Sequence, residues 1–178
     1  MTEQERLRRN AARLLELYPS FSKRVKRMLE DLESRGLHPR LQDAWRTPED
    51  QLRAYRDGYS KLKFGFHNVT GPDGEPAALA VDVLDNSTPS SPSTAFLLQL
   101  SDAAEKAGLH SGIRWGLPSR LAAAIDRAIA ANDWQARIKP GWDPSHIETT
   151  EVTVAQARSG RRPTELPNGS DPNQIERA

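Results

Sequence analysis

Trp142-Asp143-Pro144-Ser145-His146-Ile147-Glu148 holds a carboxylate three residues before an imidazole and runs into a short apolar-polar alternation. A separation of three within one tight turn lets Asp143 and His146 converge on one point. That point reads as a zinc site in which His146 supplies a ring nitrogen, while Asp143 stays off the metal and handles a water proton. A lone D-x-x-H pair is common and usually forms a surface hydrogen bond. An upstream cluster, His67 followed by Asp82, gives the pair more weight. Three ligands and a spare carboxylate match the needs of hydrolytic zinc: a partly filled tetrahedron, an open position and a neighbouring base.

Composition narrows the field further. With 178 residues the chain suits one domain with a modest core. Its formal net charge of +1, with both signs interspersed, offers no electrostatic case for a nucleic-acid partner. The absence of cysteine excludes disulfides and thiolate metal sites, leaving His, Asp and Glu as ligands. Only four histidines compete for the role, and His38 and His110 have no carboxylate at ligand spacing, so both are assigned to structure. The N-terminus mixes charges through its apolar positions and lacks the apolar core of a Sec signal peptide, and no run is long enough to span a bilayer. The expectation is cytoplasmic synthesis of a monomer, with release by lysis or a non-Sec route if it acts on a cell wall.

Working outward, residues 78–84 (ALAVDVL) form the best strand in the chain, with Leu79, Val81 and Val83 on one face and Ala80, Asp82 and Leu84 on the other. A carboxylate inside such a strand is costly unless paired, hydrogen-bonded or metal-bound, and an arginine partner is as good an account of Asp82 as a metal. Residues 38–45 and 146–152 read as further strands, and 110–115 as another. Helices are predicted at 3–17, with Leu7, Ala11, Leu14 and Leu15 as its apolar stripe, and at 21–35, with Phe21, Val25, Met28, Leu29 and Leu32 inward and Gly36 as its stop. Lys23, Arg24, Lys26 and Arg27 then lie on the outer side as solvated charge. Thr47-Pro48-Glu49-Asp50 spells a capped helix start, running to about Asp57. Further helices are expected at 94–107 and 118–131. Trp134 and Trp142 are brought to the edge of the site, as groove walls or as ordinary packing. Residues 59–77 read as two short extended pieces around a turn-rich loop, and the polar stretch 154–178 is expected to be a disordered tail.

Arg46 sits at a strand-to-helix joint, where a side chain can project over a cleft. A salt bridge to a nearby acid is the commoner role for such an arginine. Arg46-Thr47 with Gln51, Gly58, Ser60-Lys61, His67, Ala80-x-Asp82 and Trp142-Asp143-x-x-His146, in that order, resemble the M15 family of zinc peptidases. The resemblance spans roughly residues 25–149. That family includes D-alanyl-D-alanine carboxypeptidases and L-alanyl-D-glutamate endopeptidases. The resemblance implies His67, Asp82 and His146 as zinc ligands, Asp143 as catalytic base and Arg46 as stabiliser of substrate or transition state. Trp142 and Gln51 are candidate substrate contacts, and Glu148 a candidate to orient a ligand, unless it is a plain exposed strand glutamate. The implied fold is α+β: a small single domain whose antiparallel sheet carries helices and a zinc groove.

Two departures from the family pattern stand out. Members keep the first His and the Asp within a compact S-x-H-x-x-G-x-A-x-D. Here Gly65 takes the Ser position, and a longer loop containing Gly71, Pro72, Gly74 and Pro76 separates His67 from Asp82. The ligands meet only if that loop bulges outward between paired strands. The base is Asp rather than the Glu of some members, which also occurs in the endopeptidase branch. The expected activity is zinc-dependent hydrolysis of D-amino-acid-containing bonds in peptidoglycan stem peptides or muropeptides. The rival is an inactive, metal-stabilised peptide- or cell-wall-binding module on the same scaffold.

Overall fold

A computed structural model of the chain describes residues 1–164. Its centre is a four-stranded antiparallel sheet in the order β1-β2-β4-β3, built from β1 (Pro39–Asp43), β2 (Ala80–Asp85), β3 (Leu109–Ser111) and β4 (His146–Thr149). The helices are α1 (Glu3–Leu14), α2 (Pro19–Ser34), α3 (Pro48–Arg56), α4 (Thr94–Lys106), α5 (Ser119–Ala130) and α6 (Val154–Arg158). An α+β domain with an antiparallel sheet is the expected class.

The period-2 pattern of β2 sorts the sheet into two faces. Val81 and Val83 point to one side, register with Ile147 and Leu41, and are fully buried under α2 and α4. Asp82 points to the other, opposite His146, and Glu148 one strand step on faces His110 of β3. One face is therefore core, and the other carries the polar groups. On α2 the predicted stripe of Phe21, Val25, Met28, Leu29 and Leu32 is buried as expected, and Gly36 ends the helix at φ 76°.

The first helix docks by a different face from the expected one. Leu7 and Leu15 are 49% and 85% exposed, whereas Arg6 and Asn10 are buried. The reason is the edge of β1. Asn10 donates to Pro39 O (3.0 Å) and accepts from Leu41 N (2.8 Å), while Arg6 donates to Pro39 O and Arg9 to the carbonyls of Leu41 and Gln42. Side chains of α1 thus pair with the backbone groups of an edge strand, a demand that hydrophobic periodicity cannot register.

Other corrections share this character. Arg24 is not merely solvated: it pairs with Glu151 at 2.7 Å and donates to Ala107 O, tying α2 to the C-terminal segment. The region expected as a strand at 110–115 is split, with β3 turning after Ser111 into a 3-10 turn at Gly112–Arg114. The stretch expected as tail begins with α6, started by a Thr153–Gln156 capping box and anchored by buried Ala157, with Val152 just before it also in the core. Arg162 then reaches Ala157 O and Thr70 O. Residues 165–178 of that tail lie outside the described residues.

Candidate metal centre

Two strands and a 3-10 turn deliver the three candidate ligands. His67 rides on a 3-10 turn, Phe66–Asn68, rather than on a strand. Its backbone is clamped on both sides: Arg46 N donates to His67 O (2.8 Å), and Leu79 N donates to Phe66 O (3.0 Å). Beyond it the chain makes a tight excursion, Gly71 N to Glu75 O and a bridge between Thr70 and Pro76, turning at Gly74 with φ 84°. The exposed excursion returns the chain directly into β2, so the extra residues leave His67 and Asp82 together. The outward bulge is as expected, although it grows from a 3-10 turn and an isolated bridge, not from paired strands.

His67, Asp82 and His146 each offer a ligand atom, all within 4.8 Å of one another. His67 Nε2 is 3.7 Å from Asp82 Oδ1, and His146 Nδ1 is 3.2 Å from the same oxygen. The outward nitrogens are both occupied. His67 Nδ1 meets Ala44 O at 2.5 Å, and His146 Nε2 meets Glu148 Oε2 at 3.1 Å. A proton on each of those outer nitrogens leaves Nε2 of His67 and Nδ1 of His146 with free lone pairs on the side of the shared carboxylate, which is how metal-ligating imidazoles are held. Two imidazoles and one carboxylate, with no sulfur, fit zinc in composition and in orientation.

Glu148 is therefore held against His146, and it has a further neighbour. His110 Nδ1 lies 3.8 Å from Glu148 Oε1. The assignment of His110 to structure alone missed this, because cross-strand register, not sequence spacing, supplies its carboxylate. His67, Asp82, His146, Glu148 and His110 alternate imidazole and carboxylate across the sheet.

Electrostatics follow from this row. Burial holds His67 below its ordinary value despite the Asp82 charge. Burial also pulls His146 down, but hydrogen bonds to Asp82 and Glu148 outweigh it and push the imidazole up to about 10. Burial would raise Asp82, yet His67 and His146 bring it below the usual carboxylate range. Asp143 behaves in the opposite way: burial, with the negative charge of Asp82 adding to it, pushes its carboxyl up to about 6. Its Oδ2 stands 4.0 Å from His146 Nδ1.

Asp143 is positioned by close backbone packing. A Cβ on Gly112 would run into the carbonyl oxygen of Asp143, and one on Gly141 would come within 2.6 Å of backbone atoms of Trp115. These two glycines let the 3-10 turn and the chain entering β4 lie against each other. Trp115, on that turn, stacks 5.0 Å from the His146 ring and 5.4 Å from Trp142. Sequence reasoning missed Trp115, which has no periodic signal, and brought Trp134 to the edge of the site instead. Trp134 packs beside Arg35 and does not line the cleft.

Arg46 overhangs the cleft, and both of its anchors are visible. A bulge between Leu41 and Asp43 turns Asp43 to face Asp82 across the strands, and there it accepts from Arg46 Nε (3.0 Å) and Nη2. Arg46 Nη1 donates to Gln51 Oε1 at 2.9 Å. Gln51 itself is 3% exposed and spends its amide nitrogen on Ser60 Oγ and Leu62 O. Gln51 also lines the cavity, and its bond to Arg46 orients that guanidinium. The triad, Asp143, Arg46, Trp115 and Trp142 line one cavity of about 520 Å³.

No known family profile matches the sequence, and no curated protein matches it. Among solved structures the chain is similar to the L-Ala D-Glu endopeptidase ChiX of Serratia marcescens, with a TM-score of 0.52 at 16% identity over 80% of this chain and 86% of that one. A vancomycin-resistance D,D-pentapeptidase, VanY, solved in complex with Zn(II), aligns at a TM-score of 0.42 and 13% identity, over 78% of this chain and 74% of that one. The likeness to the endopeptidase shows a shared fold, the one expected of an M15 peptidase.

Proposed function

We propose that the protein is a zinc peptidase of the M15 kind, hydrolysing D-amino-acid-containing bonds in peptidoglycan stem peptides. The observation that carries this reading is a His-Asp-His group lining an open cleft, with a fourth carboxyl, Asp143, close by and outside the ligand set. The similarity in fold to an endopeptidase of that substrate class supports it.

His67, Asp82 and His146 would hold the ion. When bound, zinc supplies a Lewis acid that polarises the scissile carbonyl and acidifies water. Asp143 takes the proton of the attacking water and returns it to the leaving amine. It stands outside the ligand set, 4.0 Å from His146 Nδ1, within reach of both transfers. Arg46, fixed by Asp43 and Gln51, directs its cation to the carbonyl oxygen or a substrate carboxylate. Glu148 keeps the His146 ring in its ligating orientation. Trp142, 48% exposed, walls the groove.

The test joins zinc analysis of the purified protein to a muropeptide digest read by mass spectrometry. Asp143→Ala is expected to retain zinc and to lose roughly 10²–10⁴ in rate. Parental cleavage by that variant, or no cleavage by the zinc-loaded parent, defeats the reading.

A further inference from the structure

Asp143 delivers its proton to the leaving amine in the reaction proposed above, so the residue that departs lies on the Asp143 side of the ligand triad. The neighbouring wall on that side is Trp142. Over its ring stands the ammonium of Lys61, 4.1 Å from the centroid, carried there by the segment that follows α3. Lys61 also lines the cleft. Among the described residues no carboxylate pairs with it.

The other charged groups around the cavity are committed. Arg46 is paired to Asp43, Asp82 bridges the two ligand imidazoles, and Glu148 serves His146 and His110. The indole face steadies an ammonium laterally without neutralising it. Lys61 therefore offers its full charge at one end of the cleft, on the side where the leaving amine departs. A carboxylate on the leaving residue meets it there as a cation that no acid of the described residues claims.

We propose that Lys61, seated on Trp142, is a specificity residue that binds a carboxylate carried by the leaving residue of the substrate. The inference rests on the peptidase reading and sharpens it. Two sources supply the same chemistry: the terminal α-carboxylate of a single departing residue, as in carboxypeptidase action, or the free carboxylate of an internal glutamate-type residue, as in endopeptidase action.

The experiment uses the full-length, zinc-loaded protein with two matched pairs of stem peptides. One pair has the terminal carboxylate free or amidated, and the other has the internal glutamate carboxylate free or amidated. In the pair that matches the true source, amidation is expected to lower kcat/KM of the parent by about tenfold or more, the scale of one lost charge-assisted hydrogen bond. Lys61→Met should lose a similar factor on the free peptide, chiefly through KM, and should no longer distinguish free from amidated. Lys61→Arg should restore most of the discrimination. The responding pair names the source.

A Lys61→Met protein that discriminates like the parent overturns the inference, as does a parent indifferent to amidation in both pairs. Loss of zinc from Lys61→Met also overturns it, since the lysine would then be holding the site and not the substrate. A parent that cuts neither pair brings down the peptidase reading itself, which keeps that failure distinct from the others.

Discussion

Zinc binding at pH 8 should expel a proton from His146. An imidazole must be neutral to give a metal its lone pair. His67 already meets the condition, because burial holds it below its ordinary value. His146 does not: hydrogen bonds to Asp82 and Glu148 overcome the effect of burial and push it up to about 10. Asp143, at about 6, is already ionised at pH 8 and contributes nothing. Below about 10 each pH unit therefore costs the metal a factor of ten, so at pH 7 the proton withholds about 4 kcal/mol, three units at about 1.36 each. The sign for the metal-free fold is opposite. The folded value lies above that of the unfolded chain, so this stabilisation is complete below about pH 6.5 and is lost as pH rises through about 10. Calorimetric zinc titrations in two buffers of different ionisation enthalpy, at pH 7, 8 and 9, read both quantities. The expected result is release of at least one proton, with affinity rising at least about tenfold per unit. Release of none with a flat affinity would refute the assignment of charge to His146.

Three further outcomes test the supports of the site. Asn10→Leu leaves Pro39 O short of one partner and Leu41 N without one at a buried edge, and should destabilise the fold by roughly 2–4 kcal/mol in a denaturant melt, with zinc affinity unchanged. Gln51→Leu removes the acceptor of Arg46 Nη1 and should lower kcat/KM about tenfold while zinc stays bound; an unchanged kcat/KM would leave Gln51 with no part in positioning Arg46. Gly112→Ala drives a methyl into the carbonyl of Asp143 and should cost about a hundredfold in rate, since small displacements of a proton-transfer group are expensive. Parental activity in Gly112→Ala would mean that Asp143 tolerates the shift.

The sequence exposed those parts of the molecule that obey a period or a motif. β2 alternates strictly, so Asp82 was legible as an acid on the face away from the core, and the α2 stripe and the Thr47 cap read correctly for the same reason. His67, Asp82 and His146 were legible as a set because each lies in a short pattern whose order along the chain narrows chance. What escaped depends on register or on polar satisfaction. His110 meets Glu148 only because β3 pairs with β4 in one register. Asp43 comes opposite Asp82 only because of a bulge. The packing face of α1 follows the hydrogen-bonding needs of an edge strand and overrides its apolar stripe. Ala157, small and set in a polar stretch, gives no compositional sign of the helix that seats it.

The position of Asp143 favours the proposed catalytic site over a structural one. A structural zinc site closes its tetrahedron with a fourth protein ligand, whereas a hydrolytic one holds three and leaves a direction open. Here the three ligand atoms come from two strands and a clamped 3-10 turn, and the remaining carboxylates are spoken for unequally. Glu148 is drawn to the outer nitrogen of His146, away from the shared oxygen of Asp82, and its charge is favoured there, for hydrogen bonds from His110 and His146 bring it below its ordinary value in spite of burial. Asp143 approaches the inner nitrogen, yet stops at 4.0 Å and keeps 35% of its side chain exposed. Its backbone is held by glycine packing and not by the ligand set, so its carboxylate is placed without having to bind. A purely structural centre has no use for an acid held in this way, with its affinity for protons raised towards neutrality, at the wall of a 520 Å³ cleft. Proton transfer to a substrate in that cleft gives each of these features a function.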